Sequence, residues 1–219
     1  MRYHSDVTGP RRFDLLGRGL GAEETREIAS ALGLGALIVY PTDTLYAIGC
    51  CALDGPCVSR LRAAKGREED KPFPVIATDL AQARSLTSRW PEVAQRLAER
   101  FWPGPLTLVV PAASTLPVSL LSGATSIAVR VPDSEVARAL ARAAGPLVAT
   151  SANRAGEPPC VEVDPALAAF PLATLALDIG PLDGAPSTIV DVTDPSGAIR
   201  ILREGRIAGD LVERALRRA

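Results

Sequence analysis

Residues 36–46 (ALIVYPTDTLY) decide the fold class of this sequence. The apolar run over residues 36–40 is typical of a buried strand. Two threonines and an aspartate follow it closely, so polar side chains are expected at the carboxyl end of that strand. Open α/β sheets bind ligands at this edge. Proline, threonine and aspartate also favour turns, so the motif alone is equally compatible with ordinary turn chemistry.

Helices and strands alternate on both sides of this stretch. A helix over residues 23–32 is stopped by Gly33, and a second helix is capped by Asp54 and ends at Gly66. Further strands are predicted at residues 74–77, 106–110, 126–131 and 147–150 and near Leu175, Ile189 and Ile199, and further helices at residues 80–86, 91–101, 133–144 and 165–170 and from Asp210 onward. This alternation predicts an α/β protein with a mixed sheet.

Length and composition predict one folded domain. The chain has 219 residues, 24 basic and 25 acidic side chains, and 47% apolar residues, which is typical of a single globular unit. No apolar run approaches the ~20 residues that cross a bilayer, and the first residues lack the apolar segment of a secretory signal. We therefore expect a cytoplasmic protein without a membrane partner, with a tail over residues 1–21 and a domain over residues 22–219.

The composition also excludes several classes of site. Because His4 is the single histidine and lies near the N-terminus, a histidine base or a histidine metal cluster is not expected. The four cysteines form no C-x-x-C pair, and Cys50 and Cys51 are adjacent, which favours buried thiols over a disulfide or zinc site. The net charge of −1 argues against binding nucleic acid through bulk charge. The sequence also lacks the glycine-rich phosphate and dinucleotide motifs.

Lysine occurs in one stretch only, residues 65–72 (KGREEDKP), which contains both Lys65 and Lys71. A lysine ammonium is a compact charge that can follow phosphate oxygens through a reaction, whereas arginine prefers fixed two-point pairing. Lys65 beside Arg67 therefore suggests a site for a polyphosphate. The acidic residues between the two lysines leave a solvated charged turn as the alternative.

Other polar residues also accompany predicted buried strands. Residues 147–153 (LVATSAN) run from an apolar strand into small hydroxyl and amide groups, which can hold a carboxylate, a ribose or a phosphate. Helix capping is the alternative for these side chains. Arg130 lies inside an apolar strand, and Arg203 ends the last one. A guanidinium group in such a place requires either a buried acid or an anionic ligand.

Seven stretches, taken in order, resemble the YrdC-like threonylcarbamoyl-AMP synthase family. They are residues 40–46, 65–72, 101–107 (FWPGPLT), 128–132 (AVRVP), 151–153 (SAN), 186–191 (PSTIVD) and 202–205 (LREG). The resemblance implies a YrdC-like α/β fold in which a twisted mixed β-sheet, flanked by helices, surrounds a concave basic groove. Little sequence follows the last motif, so the short, single-domain form of the family is expected.

The resemblance also implies an activity, in which threonine, bicarbonate or CO2, and ATP give threonylcarbamoyl-AMP and pyrophosphate for threonylcarbamoyladenosine formation in tRNA. The implied catalytic residues are Lys65, Arg67, Ser151 and Asn153. The implied binding residues for threonine or nucleotide are Thr42, Thr44, Ser126, Arg130, Thr150, Ser187 and Arg203. ATP is a substrate, and Mg²⁺ is expected to help neutralise its phosphates. No residue is assigned as a metal ligand, although Asp43 is a candidate by proximity. The expected partners are ATP, L-threonine, bicarbonate, and a tRNA or a tRNA-modifying protein.

Several departures from the family pattern concern the ATP side of the expected groove. Ala47 stands where the family usually has glycine, and Glu68 replaces a common proline. Ala155 and residues 158–160 (PPC) also depart from the usual serine-rich sequence. Two alternatives therefore stay open. One is a non-catalytic RNA-binding module of the same fold, and the other is a paralogue that adenylates or carbamoylates a different substrate.

Overall fold

The computed structural model describes residues 9–66, 71–154 and 156–217. The strands are β1 (Arg11–Asp14), β2 (Ile38–Pro41), β3 (Tyr46–Gly49), β4 (Val75–Ile76), β5 (Leu106–Pro111), β6 (Ser126–Arg130), β7 (Leu147–Val148), β8 (Thr150–Ser151), β9 (Leu175–Asp178), β10 (Thr188–Asp191) and β11 (Arg200–Arg203). The helices are α1 (Ala22–Gly33), α2 (Gly55–Lys65), α3 (Leu80–Ser85), α4 (Glu92–Phe101), α5 (Val118–Leu121), α6 (Glu135–Ala144), α7 (Val163–Ala169) and α8 (Gly209–Arg217). The predicted alternation of helices and strands is confirmed.

The strands form two mixed sheets. The first has the order β1-β9-β2-β3-β8, and the second has the order β11-β10-β5-β6-β4-β7. In the first sheet β2 is antiparallel to β3 and parallel to β9, and in the second β5 is antiparallel to β6 and parallel to β10. The mixed α/β class is therefore confirmed, with the strands divided between two sheets.

The stretch predicted as one strand over residues 147–150 joins the two sheets. Leu147 and Val148 pair with β4 in the second sheet, whereas Thr150 and Ser151 pair with β3 in the first. Ala149 lies between the two short strands. Because the chain passes from one sheet to the other here, the polar residues that follow lie where the sheets meet.

The sequence analysis did not predict β1, β3 or α5. Strand β1 lies in the segment expected to be a tail, where it pairs in parallel with β9. Within this strand Phe13 is buried, whereas Arg11, Arg12 and Asp14 are exposed. Leu15, the next residue, is also buried. An edge strand with so few apolar positions gives a weak periodic signal, which explains why it was missed.

Two apolar clusters fill the interior on either side of the first sheet. One contains Val39, Ile48, Leu106 and Val129, and the other contains Ile38, Tyr40 and Leu147. Successive residues of β2 point to opposite faces, so both faces of this strand are buried. All four cysteines are free thiols. Three of them are buried as predicted, whereas Cys51 is only partly buried. Within the described part of the chain, the structure contains no helix suited in length and apolar character to spanning a membrane.

Candidate active site

Residues 42–45 form a tight turn between β2 and β3. The Thr42 hydroxyl accepts hydrogen bonds from the amides of Thr44 and Leu45, both at 3.1 Å, and its Oγ1 lies 2.8 Å from the Leu45 carbonyl oxygen, to which it donates. Thr42 and Thr44 are both buried. The turn chemistry that the sequence suggested is therefore present, and it presents the side chains of Asp43 and Thr44 to the end of β6.

Arg130 lies at that end of β6, and its guanidinium group donates three hydrogen bonds. Its Nη2 donates to Asp43 Oδ1 at 2.5 Å, Nη1 to Thr44 Oγ1 at 3.0 Å, and Nε to the Gly104 carbonyl oxygen at 2.9 Å. The Arg130 side chain is only 8% exposed. Burial lowers its pKa, and the charge of Asp43 opposes this shift. The sequence analysis expected the guanidinium group of Arg130 to meet either a buried acid or an anionic ligand. Asp43 is that buried acid. We call Asp43, Thr44, Gly104 and Arg130 the Arg130 cluster.

Gly104 provides its carbonyl from a turn that requires glycine. A Cβ at this position would lie 2.3 Å from the Phe101 carbonyl oxygen. The amide of Gly104 donates to the Val131 carbonyl oxygen at 2.9 Å, and its carbonyl oxygen accepts from Arg130 Nε. The turn is therefore bonded both to the Arg130 side chain and to the main chain of the next residue. The glycine of the FWPGPLT motif thus helps to orient the arginine.

Two more arginines lie close enough to Arg130 to influence it. The positive charges of Arg206 and Arg203 further lower the Arg130 pKa. Arg203 donates through Nη2 to the Ser187 carbonyl oxygen at 2.8 Å. The hydroxyl groups of Ser187 and Thr107 are hydrogen bonded to each other at 2.9 Å. The sequence analysis did not select Thr107. The structure therefore brings Ser187 and Arg203 together, near a site rich in positive charge.

Gly205 allows the LREG motif to pass close to the chain at Pro186 and Ser187. A Cβ on Gly205 would lie 2.3 Å from the Pro186 carbonyl oxygen, so the two chain segments cross too closely for any side chain. The Thr188 hydroxyl accepts from the amides of Gly205 and Ile207 at 3.0 and 3.1 Å. These bonds set the positions of the residues on either side of the crossing.

Lys65 is the last residue of α2. Asp54 caps this helix by accepting from the Cys57 amide at 3.0 Å, and Gly66 ends it with a φ of 57°, as predicted. The Lys65 ammonium donates to the main-chain carbonyls of Ser151, at 2.7 Å, and of Asn153, and it lies 5.3 Å from the centre of the Phe170 ring. We call Lys65, Ser151 and Asn153 the Lys65 cluster. Arg67 and Glu68 lie outside the described residues.

The side-chain oxygen of Asn153 has no partner among the described residues. Its amide nitrogen donates to the carbonyls of Arg154 and Glu157 at 3.0 and 2.7 Å. Its buried Oδ1 has no hydrogen-bond partner within residues 9–66, 71–154 and 156–217. The Cys160 thiol donates to the Ala152 carbonyl at 2.7 Å and ties the following loop back to this segment. A buried acceptor without a partner is unfavourable, so the Asn153 Oδ1 is a candidate contact for a ligand.

The register of β3 and β8 connects the two clusters. Ser151 lies opposite Ala47, and Thr150 opposite Ile48. Ala47 is only 4% exposed and packs in an apolar cluster, so the fold accepts its Cβ despite the departure from the family pattern. Thr44, in the Arg130 cluster, precedes Ala47 by three residues, and Ala47 pairs with Ser151 of the Lys65 cluster, so β3 links the two clusters.

Ser126 is the one described candidate residue that the structure places apart. It begins β6, opposite Pro111, whereas Arg130 ends the same strand. Four residues of strand separate the two positions by about 13 Å. The remaining described candidates, which lie in or beside the two clusters, are Lys65, Ser151, Asn153, Thr42, Thr44, Arg130, Thr150, Ser187 and Arg203.

Among the described residues, no side-chain cluster forms a metal site by itself. These residues contain no group of three or more histidine, cysteine, aspartate or glutamate side chains placed to hold a metal. One oxygen of Asp43 is bonded to Arg130, and the other is buried without a partner in this part of the structure. Asp43 is thus the counter-ion of a guanidinium group, which does not support the interpretation of it as a metal ligand.

Comparison with known proteins gives consistent matches. Residues 30–205 match the Sua5_yciO_yrdC family, described as telomere recombination. The chain is 41% identical to the threonylcarbamoyl-AMP synthase of Chromohalobacter salexigens over 175 residues, which cover 78% of this chain and 94% of that protein. Sua5 of Pyrococcus abyssi, solved in complex with L-threonine, matches with a TM-score of 0.88 and 32% identity over 94% of this chain and 60% of that one. E. coli YciO, at a TM-score of 0.80 and 24% identity over 92% of this chain and 98% of that one, shares the fold. The family resemblance is confirmed, and the chain belongs to the Sua5/YciO/YrdC family.

Proposed function

We propose that this protein is a threonylcarbamoyl-AMP synthase that joins L-threonine, bicarbonate or CO2, and ATP. The observation that carries the proposal is that β3 links the two clusters, since Thr44 of the Arg130 cluster lies two residues before this strand and Ser151 of the Lys65 cluster pairs with it. A fixed guanidinium fork suits a carboxylate, and a compact ammonium suits a phosphate. An amino acid linked through a carbamate to an adenylate carries both a carboxylate and a phosphate.

The proposed chemistry needs positioning more than it needs a strong base. The threonine amine attacks CO2, forms the C–N bond of the carbamate and releases a proton. A carbamate oxygen then attacks the α-phosphate of ATP, and the bond to pyrophosphate breaks. Arg130 holds the threonine carboxylate, while Lys65 and Arg67 neutralise the phosphates. A Mg²⁺ ion bound to ATP would supply further neutralising charge.

Other residues complete the proposed site. Asn153 offers its unpaired Oδ1, and Ser151 lies beside it at the phosphate end. Thr42, Thr44 and Thr150 are buried at the junction between the clusters. Ser187 and Arg203 are hydrogen bonded to each other near Arg130. A role for Ser126 in substrate binding stays a prediction, because it lies at the far end of β6.

The first test is pyrophosphate release from ATP by the purified protein. We expect release only when threonine and bicarbonate are both present. Serine is expected to react more slowly than threonine, since a missing methyl group changes transition-state binding by only about 1 to 3 kcal/mol. Release that continues without an amino acid would contradict the proposal. Release that requires another amino acid would favour a paralogous substrate.

The product implies a partner that consumes it. Threonylcarbamoyl-AMP is a mixed anhydride that water can hydrolyse, so we expect direct use by a tRNA or a tRNA-modifying protein. A gel-shift titration of the same sample tests the RNA-binding alternative. Tight, salt-sensitive RNA binding without ATP turnover would support that alternative over the synthase. A cytoplasmic location remains a prediction of the sequence.

A further inference from the structure

Arg206 contacts the turn of the Arg130 cluster, although sequence reasoning did not select it. Its Nη1 donates to the main-chain carbonyl oxygen of Asp43 at 2.9 Å. Its Nη2 forms an ion pair with Asp183. One guanidinium group therefore joins the turn between β2 and β3 to the loop between β9 and β10.

The backbone of Arg206 is well placed for this task. Its amide donates to the Pro186 carbonyl oxygen at 2.8 Å, directly after the close crossing at Gly205. The next amide, that of Ile207, donates to the Thr188 hydroxyl at 3.1 Å. The side chain thus extends toward the turn from a fixed base on the second sheet.

The loop that carries Asp183 is also attached to the first sheet. The amide of Ile179 donates to the Tyr46 hydroxyl at 3.1 Å, and that hydroxyl donates to the Gly180 carbonyl oxygen at 2.9 Å. Farther along, the Leu182 amide donates to the Val161 carbonyl oxygen at 2.9 Å. The Asp183 ion pair adds a contact between this loop and Arg206.

Asp43 is consequently held at two points. Arg206 binds its main-chain oxygen, and Arg130 binds its carboxylate. The two guanidinium groups lie on different chain segments but converge on this one residue. Any displacement of the turn would therefore move the carboxylate and hydroxyl that orient Arg130.

We propose that Arg206 and Asp183 form a clamp that positions the Asp43 turn and thereby sets the affinity of the Arg130 cluster for the carboxylate of the amino-acid substrate. This inference rests on the proposed function. Arg206 is a positioning residue, because it acts through Asp43 and Arg130. The Arg206 side chain is 33% exposed and that of Asp183 is 60% exposed, so we expect the ion pair alone to contribute little.

The test compares Arg206→Met, Arg206→Lys and Asp183→Asn with the wild type in threonine-dependent pyrophosphate release. We expect Arg206→Met to raise the KM for threonine about tenfold, with kcat and the KM for ATP nearly unchanged. Asp183→Asn is expected to raise it about threefold. Arg206→Lys keeps the charge but loses the planar fork, so it should fall between Arg206→Met and the wild type.

The matched control is Arg200→Met. Arg200 lies in β11 and pairs with Asp191 at 3.0 Å, with its side chain 74% exposed, so this change removes the same charge from an exposed pair. We expect wild-type kinetics for this control. A threonine KM in Arg206→Met that matches the control, or a loss confined to kcat, would overturn the clamp.

Hydrogen exchange gives a second readout that does not depend on turnover. The amides of residues 42–46 should exchange faster in Arg206→Met than in Arg200→Met, because the turn has lost its outer support. If the wild type releases no pyrophosphate, the proposed function fails while this exchange measurement still decides whether the clamp exists. Equal exchange in the two variants would exclude the clamp even in an active enzyme.

Discussion

Arg130 is bound by a carboxylate, a hydroxyl and a carbonyl, whereas Lys65 donates to two main-chain carbonyls and lies over an aromatic ring. The first is a rigid fork at the end of a strand, fixed before any ligand binds. The second is a point charge on a flexible stem at the end of a helix. The two positive charges are thus held by different means.

This difference matches two chemical demands. The carboxylate of an amino acid keeps its shape and charge throughout the proposed reaction, so a preset planar partner suits it. Phosphate oxygens change position and charge as pyrophosphate leaves, which suits an ammonium that can exchange main-chain carbonyls for ligand oxygens. The comparison predicts that changes at Arg130 affect stability most and that changes at Lys65 affect turnover most.

Arg130→Met provides the strongest test of that contrast. It leaves the Asp43 carboxylate buried without its counter-ion, and breaking a buried ion pair from one side costs about 3–5 kcal/mol. We expect a loss of this size in the free energy of unfolding, measured by urea denaturation. Adding Asp43→Asn to Arg130→Met should recover part of the loss, since the unpaired charge is removed. A loss below about 1 kcal/mol would show that the pair is not preset.

Lys65→Ala tests the other side of the comparison. We expect kcat/KM for threonine-dependent pyrophosphate release to fall by about 100-fold, because a charge that stabilises the transition state is removed. The free energy of unfolding should change little, since water can replace the ammonium at the two carbonyls. Arg214→Met is the control, as Arg214 is exposed in α8 and pairs with Asp210. Equal activity of these two variants would contradict the assignment of Lys65.

Thr42→Val tests how much the turn at residues 42–45 supports Arg130. It removes hydrogen bonds of the turn and leaves every charged side chain in place. The Thr42 hydroxyl accepts from two amides, so we expect a loss of about 1–2 kcal/mol in the free energy of unfolding together with weaker threonine binding. Thr42→Ser keeps the hydroxyl and should resemble the wild type in both measurements. If both variants behave alike, the hydroxyl does not support the turn.

Cys160→Ala is expected to have the smallest effect. The thiol donates to the Ala152 carbonyl beside the Lys65 cluster, and a thiol is a weak donor, so we expect a loss of about 1 kcal/mol or less. For a chain of this size that corresponds to a decrease of about 2–4 °C in Tm, measurable by calorimetry. Cys160→Ser retains a donor and serves as the control. A larger loss in Cys160→Ser than in Cys160→Ala would indicate that packing, not the hydrogen bond, matters at this position.

Most of the architecture could be predicted from local patterns. Helix α2 was bounded correctly because Asp54 and Gly66 are strong start and stop signals. Strand β1 was missed because an edge strand needs few apolar residues, and the split at Ala149 was missed because it depends on where two sheets meet. Local propensity contains no information about which sheet a strand joins.

The candidate site shows the same division. Lys65, Ser151 and Asn153 were selected together through motifs, and the structure places them in contact. The sequence indicated that Arg130 could pair with an acidic residue but did not identify which one. The reason is that Asp43 lies 87 residues away in sequence. Thr107 was missed although it ends the FWPGPLT motif, and Arg206 was missed because it lies one residue beyond the LREG motif. Ser126 was selected through the family resemblance, although β6 places it away from the clusters.

By itself, the sequence determined the α/β class, the family and the types of side chain available for chemistry, because periodicity and motif order are local properties of the chain. The tertiary structure alone decided that Asp43 neutralises Arg130, that the chain crosses itself at Gly205, and that Arg206 reaches the Asp43 turn. These contacts join residues far apart in sequence, and their geometry follows from how two sheets pack, which no local pattern specifies.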